Sequence, residues 1–309
     1  YINRLEETLR FETPNWLGID EIHIIKPRCV LTNIEERTLL DVLPNRSKET
    51  VVGYLSRLPN RGRIQYVTMD MWQPYKDAVK AVLPKATIIV DKFHVVRMAN
   101  QALETIRKQL KEGLSPKERR GLMHDRFILL KRHKELTEMD KVTLDLWTKN
   151  HPSLGIAYEL KESFFDLWDI DSRQKAYLKY HDWKAKIPKE LQTAFEPLTK
   201  AMENWEAEIF SYFDHRVTNA YTESLNSLIR VINRLGRGYS FEALRAKILF
   251  TEGLAKQRKP KYQRRIDKYE LEEYLPVFKM PPVSREPEEV TLLGIDISTL
   301  IEKLEKGEL

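Results

Sequence analysis

The chain has 309 residues, 32 % of them charged and 42 % hydrophobic, with a formal net charge of +6. This is a soluble, globular composition with apolar material for one large or two ordinary domains, and no apolar run is long enough to span a bilayer. The one cysteine, Cys29, excludes a disulfide framework and, within these residues, a cysteine-rich zinc site.

Tyr1 rather than Met opens the chain, as expected of a fragment, a processed form or a trimmed chain, and "YINRLEETLR" is too polar for a signal peptide. Residues 17–26, "LGIDEIHIIK", read as a strand, being short, isoleucine-rich and without a helical stripe. "CVLTNI" and "TLLDVLP" follow as two more strands, with "NIEER" suited to a hairpin connection. Cys29 then reads as a small apolar strand residue in a protein of a reducing compartment. Ser47 is a suitable N-cap for a helix ending near Pro59, striped by Val51, Val52, Leu55 and Leu58.

"IQYVTM" is a fourth strand, closed by Asp70. A short helix, "WQPYKDAVKAVLP", tolerates Pro74 in its first turn. "ATIIV" is a buried strand closed by Asp91, and "KFHVVRMANQALETIRKQLKEG" is a long amphipathic helix. The order β-β-β-α-β-α-β-α predicts a mixed α/β sheet, three antiparallel strands and then alternating strands and helices, which is the order of the ribonuclease H-like fold.

Residues 115–215 change character: helical, charged and aromatic, they read as an all-α insertion whose Trp and Phe residues form a core. "VTNAYTESLNSLIRVINRLG" is a helix started by Asn219, striped by Leu225, Leu228, Ile229 and Ile232, and ended by Gly236. One more helix follows, "SFEALRAKILFTEGLAK". The expected division is a core at 1–114, the helical insertion at 115–215, closing core helices at 216–256, and a basic then acidic tail at 257–309 that lies extended over the surface or is partly mobile.

Asp20 falls mid-strand among isoleucines, where a carboxylate is costly unless paired, solvated or bound to a cation. Gly18, Asp20, Ile22 and Ile24 share one face of that strand. Asp70 ends the fourth strand, either as an N-cap for the next helix or as a partner of Asp20 if the two strands are neighbours. Glu223 shares a helix side with Asn226 and Arg230, at i, i+3 and i+7, and Leu225, Leu228 and Ile232 would hold the other side to the core. Carboxylates without a cysteine or histidine cluster favour a hard cation such as Mg²⁺.

The passages "LGIDEIHI", "YVTMDMWQPYKDAVKAVLPKATIIVDKFHVVRMAN" and "TNAYTESLNSLIRVINRLGRGYSFEALRAKILF" resemble the bacterial DDE transposases of the insertion-sequence family named ISL-three, and the likeness covers nearly the whole chain. The resemblance implies that Asp20, Asp70 and Glu223 bind two Mg²⁺ ions, for which Mn²⁺ would substitute, and that the core is ribonuclease H-like with a helical insertion before Glu223. It implies hydrolysis at the ends of an insertion sequence, followed by attack of the freed 3′-hydroxyl on target DNA. A homodimer or larger assembly on DNA, in the bacterial cytoplasm, is the expected setting.

Two stretches free of acids, 230–239 and 256–265, are either solvated surface or phosphate contacts; Arg230, Arg234, Arg237, Lys256, Arg258, Lys259, Lys261, Arg264 and Arg265 are the candidates. "DKFH" matches an Asp-x-x-His element of similar transposases, so Asp91 and His94 are either a helix cap with structural support or contacts to the DNA ends. Trp72 is either packing at the site edge or a base or sugar contact. Family members usually begin with a cysteine-rich zinc-binding segment and a helix-turn-helix region, which these residues lack. The rival readings are a structure-selective nuclease on the same core and a domesticated DNA-binding protein that no longer cuts.

Overall fold

A computed structural model of the chain describes residues 12–252. Three strands come first: β1 (Trp16–Ile24), β2 (Lys26–Asn33) and β3 (Thr38–Leu43). They form an antiparallel meander. The first strand is shorter than the isoleucine run predicts. Pairing runs from Leu17 opposite Asn33 to Ile24 opposite Lys26, so the chain reverses at Ile25, which is exposed and takes φ 60°. Lys26 to Arg28 therefore belong to β2. The second reversal is the expected "NIEER" turn, where Asn33 Oδ1 accepts from Glu36 N at 3.1 Å and Arg37 takes φ 55°.

Helix α1 (Lys48–Arg57) starts as Ser47 predicts, its side chain accepting from Thr50 N. Strand β4 (Tyr66–Met69), α2 (Gln73–Val82), β5 (Thr87–Val90) and α3 (Lys92–Leu110) follow. The five strands lie in the order β3-β2-β1-β4-β5, with β4 parallel to both β1 and β5. The mixed α/β sheet read from the sequence is thus present.

Strand alternation sends β1 side chains to two different layers. Leu17 and Ile19 pack with Val51 and Leu55 of α1 and Tyr75, Ala78 and Val79 of α2. Ile22 and Ile24 face the other way, onto Leu225, Ile229, Leu244 and Ile248. Those four belong to α11 (Ala220–Leu235) and α12 (Phe241–Glu252). Arg245 of α12 forms a two-pronged pair with Asp41 of β3, at 2.6 and 2.9 Å. Cys29 is a buried thiol, and burial pushes its pKa up, as an inert strand residue requires.

Seven helices connect α3 to α11: α4 (Pro116–His124), α5 (Arg126–Leu130), α6 (Glu138–Asn150), α7 (Pro152–Asp166), α8 (Arg173–Ala185), α9 (Lys189–Asn204) and α10 (Glu206–His215). Reciprocal caps at Ser115/Glu118 and Thr137/Asp140 set two of their starts. Most of the Trp and Phe residues are core here, as expected: Phe164, Trp168, Trp183, Phe195, Phe210 and Phe213 are buried in one cluster that reaches Ile89 and Val90 of β5 and Val95 of α3, whereas Phe127 on α5 is exposed. Lys161 is fully buried, and its ammonium donates to the carbonyls of Leu129 and Lys131 at the end of α5. That closes a helix terminus that would otherwise leave unpaired acceptors.

The start of α11 is stitched to the sheet by polar groups. Asn219 Nδ2 donates to the Ile19 carbonyl at 3.2 Å, and Thr222 Oγ1 and Thr68 Oγ1 both donate to Asn219 Oδ1, at 2.5 and 3.4 Å. Thr32 Oγ1 lies 2.6 Å from Thr222 Oγ1. All of this sits over Gly18, where an added Cβ would meet Asn219 Oδ1 at 2.6 Å and Thr222 Oγ1 at 2.7 Å, and Thr32 Oγ1 closer still. Gly18→Ala is therefore expected to lower stability by about 1–3 kcal/mol through overpacking and lost hydrogen bonds, measured by urea denaturation. An unchanged denaturation midpoint would mean that α11 does not need this close approach.

Candidate metal centre

Register places the acids. Trp16, Leu17 and Gly18 pair with Tyr66, Val67 and Thr68, so the same offset carried two residues on sets Asp20 level with Asp70. Met69 pairs with Val90, and one further step sets Asp70 beside Asp91. Three carboxylates thus stand level on three neighbouring strands, at or beyond the limit of the parallel pairing. Such strand ends are where open α/β sheets place their sites.

Each acid is held differently. Both oxygens of Asp20 are engaged: Glu21 N donates to Oδ1 at 2.7 Å and Asn226 Nδ2 to Oδ2 at 2.8 Å. Asn226 also reaches the Glu21 carbonyl at 3.3 Å. Asp70 does not cap α2, whose N-cap position is Trp72; the Trp72 N–H donates to the Asp70 carbonyl at 2.8 Å. The buried Asp70 Oδ1 has no hydrogen-bond partner. Asp91 occupies the cap position of α3 without making the cap; its Oδ1 accepts from Asn219 N at 3.3 Å. His94 Nδ1 lies 3.6 Å from Asp91 Oδ2 and 3.9 Å from Glu223 Oε1.

Two sets of potential ligand atoms result, Asp20–Asp70–His94 and Asp91–His94–Glu223, with the atoms of each set within 4.8 Å of one another. Among the described residues Asp20, Asp70 and Glu223 do not by themselves form so tight a set; His94 is the group common to both.

Crowding buried acids raises their proton affinity. Burial, and then the charge of Asp70, pushes the Asp20 pKa up to about 7. Burial, with Asp91 next, pushes Glu223 up to about 7. Asp70 is also raised, chiefly by burial. Burial disfavours the charged form of His94, but contact with Asp91 and the charges of Asp70 and Asp20 outweigh it, so its pKa rises. Asp70 Oδ1, Asp91 Oδ2 and His94 Nδ1 are buried polar atoms without hydrogen-bond partners. Orphaned anionic oxygens and mutual repulsion are what a bound divalent cation relieves, so these residues fit one.

The remaining candidates are scattered. Trp72 packs against the core beneath α1 and α2, with the Arg46 guanidinium 4.1 Å from its ring centre and Arg46 also paired to Glu21. Arg230, Arg234 and Arg237 are exposed on α11 and the turn after it. Lys256, Arg258, Lys259, Lys261, Arg264 and Arg265 lie outside the described residues. Leu228 is not core: it is 39 % exposed, because the buried stripe of α11 centres on Leu225 and Ile229 and Leu228 lies roughly 100° round the helix from Ile229. Asn219 does more than start α11, since its side chain is spent on the sheet and makes no cap hydrogen bond. The signal for that was available in "TNAYTE", where Asn219 and Thr222 precede an apolar stripe. Arg46 had no such signal.

A family model described as a transposase, of the ISL3 (ISL-three) DDE type, matches residues 17–248. The chain belongs to this transposase family. It is 27 % identical over 252 residues to the transposase for insertion sequence element IS1001 of Bordetella parapertussis, covering 76 % of this chain and 61 % of that one. It is 26 % identical over 275 residues to the transposase for insertion sequence element IS1557 of Mycobacterium tuberculosis, covering 78 % and 61 %. The chain thus spans about three fifths of the length of these curated relatives.

The raised acids set a pH test. Carboxyl groups with a higher pKa in the folded than in the unfolded state favour folding below the unfolded value, about 4, and that contribution is lost as pH rises towards about 7. Millimolar Mn²⁺ or Mg²⁺ is therefore expected to raise the melting temperature by on the order of 5 °C near pH 8 and by much less near pH 5. Differential scanning fluorimetry checks this, and equal shifts at both pH values would count against a carboxylate cation site.

Proposed function

We propose that this chain is the catalytic portion of an insertion-sequence transposase that cleaves DNA at the element's ends and joins the freed 3′-hydroxyl to target DNA. The observation that supports the reading is a pair of adjoining ligand sets, Asp20–Asp70–His94 and Asp91–His94–Glu223, which share His94 and include the orphaned atoms Asp70 Oδ1, Asp91 Oδ2 and His94 Nδ1. Family membership supports the DNA substrate.

On this reading the sheet with α11 and α12 is a ribonuclease H-like core divided at 1–114 and 216–256, and residues 115–215 are an all-α insertion. Asp20, Asp70 and Glu223 would hold two divalent ions, Mg²⁺ or in its place Mn²⁺. When bound, these supply activation of the attacking oxygen and stabilisation of the leaving oxygen in an in-line displacement at phosphorus. The protein's share is positioning. Asn226 and the Glu21 N–H hold both Asp20 oxygens in one orientation. The Asn219 stitch ties the start of α11 to the sheet and would set the depth at which Glu223, one helical turn later, approaches the acids. Displacement by a nucleic-acid hydroxyl or water needs no covalent enzyme intermediate, so no Ser or Tyr nucleophile is required.

Arg230, Arg234 and Arg237 would neutralise phosphates of the bound duplex. Paired ends imply a dimer or larger assembly on DNA, working in the bacterial cytoplasm.

Asp70→Asn removes one charge and keeps the shape. It is expected to reduce Mg²⁺- or Mn²⁺-dependent cleavage and strand transfer on end-containing duplexes by about a hundredfold or more with the circular dichroism spectrum unchanged. Retained cleavage would overturn the reading. Replacing Arg230 and Arg237 together by Gln should lower the slope of log binding constant against log salt by roughly 2. An unchanged slope would remove these arginines from the DNA interface.

A further inference from the structure

The Asp91–His94 pair is not used by the three-acid reading. Asp91 is 2 % exposed, and although its Oδ1 accepts from Asn219 N, its Oδ2 has no hydrogen-bond partner and faces His94 Nδ1 at 3.6 Å. Glu223 Oε1 approaches the same nitrogen to 3.9 Å from the other helix. An octahedral ion with bonds of roughly 2.1 Å separates its ligands by about 3 Å when adjacent and about 4.2 Å when opposite. Both separations from His94 Nδ1 lie between those two values, and the three ligand atoms lie within 4.8 Å of one another.

We propose that Asp91, His94 and Glu223 bind a divalent cation of their own, through two carboxylate oxygens and one imidazole nitrogen, beside a second cation held by Asp20 and Asp70. The inference deepens the metal-dependent reading above and rests on it for the Asp20–Asp70 ion. A neutral imidazole offers one lone pair. When Nδ1 carries it towards Asp91 and Glu223, Nε2 bears the proton and can only donate. His94 is then a ligand of one ion, although its ring borders both sets of acids. A nitrogen donor shifts the preference of that position from Mg²⁺ towards Mn²⁺ and Zn²⁺, whereas the all-oxygen position at Asp20 and Asp70 keeps the preference for Mg²⁺. The two positions therefore differ in kind. The competing arrangement is a protonated His94 that bridges the carboxylates as an ion pair and leaves no room for a cation there.

Pulsed electron paramagnetic resonance of the Mn²⁺-loaded full chain separates the two. The expected result is nitrogen hyperfine coupling from a directly bound imidazole in the wild type, kept in Asp70→Asn and lost in His94→Gln. Asp91→Asn retains the acceptor for Asn219 N and should weaken the nitrogen-coordinated Mn²⁺ by about tenfold or more. If Asp91→Asn fails to fold by circular dichroism, His94→Gln decides alone. Bound Mn²⁺ without nitrogen coupling in the wild type, or with its affinity unchanged in the folded variants, overturns this site and leaves the cleavage reading to the Asp70→Asn assay. No Mn²⁺ binding at millimolar concentration overturns both.

Discussion

Mutual repulsion of carboxylates at the ends of parallel strands is the constraint around which this molecule is arranged. Parallel pairing of β1, β4 and β5 brings Asp20, Asp70 and Asp91 level, and no choice of rotamer undoes a register set by backbone hydrogen bonds. Burial then makes the arrangement costly, and it pushes the pKa of Asp20 and Glu223 up to about 7. Buried acids with raised pKa values beside charged partners mark a candidate functional site.

The neighbouring elements respond to that cost in two ways. Some supply donors: Asn226 and the Glu21 amide to Asp20, the Asn219 amide to Asp91. Others supply rigidity. Asn219, Thr222, Thr32 and Thr68 form a buried polar lattice over Gly18, every member with a partner, which ties the start of α11 to three strands of the sheet, β1, β2 and β4. A fully paired network of this kind specifies one docking depth more sharply than apolar contact does. Farther along α11 the contact becomes apolar at Leu225 and Ile229, and beyond them the arginines emerge into solvent.

The helices between α3 and α11 have a different economy. Their core is aromatic, with Trp168 stacked on Phe213 at 5.5 Å and Phe164 against Trp183 at 4.8 Å. That core is continuous with β5 and α3, so the helices brace the strand and helix that carry Asp91 and His94. The charged groups here serve packing: Lys161 closes the end of α5, and Arg107 pairs with Glu104 on α3.

By itself the sequence determined the strands and helices of the sheet region and their order, and the helical character of 115–215 without its separate helices, because those depend on local matters: isoleucine-rich runs, the Ser47 cap, the stripe of α11 and Pro74 in a first turn. It also marked Asp20 and Asp70 as acids in places where a carboxylate is expensive. Only the tertiary structure decided what those acids face. The sequence reading allowed Asp70 to be a cap, and the cap position fell to Trp72; it allowed Asp91 to be a cap, and Asp91 turned to Asn219 and His94 instead. It counted Leu228 as core, and helix rotation left it exposed. Gly18, Thr32 and Thr68 carried no signal because their importance lies in meeting Asn219 and Thr222, more than a hundred residues away. Contacts of that separation follow from sheet register and helix docking, which are properties of the assembled chain and not of any short stretch of it.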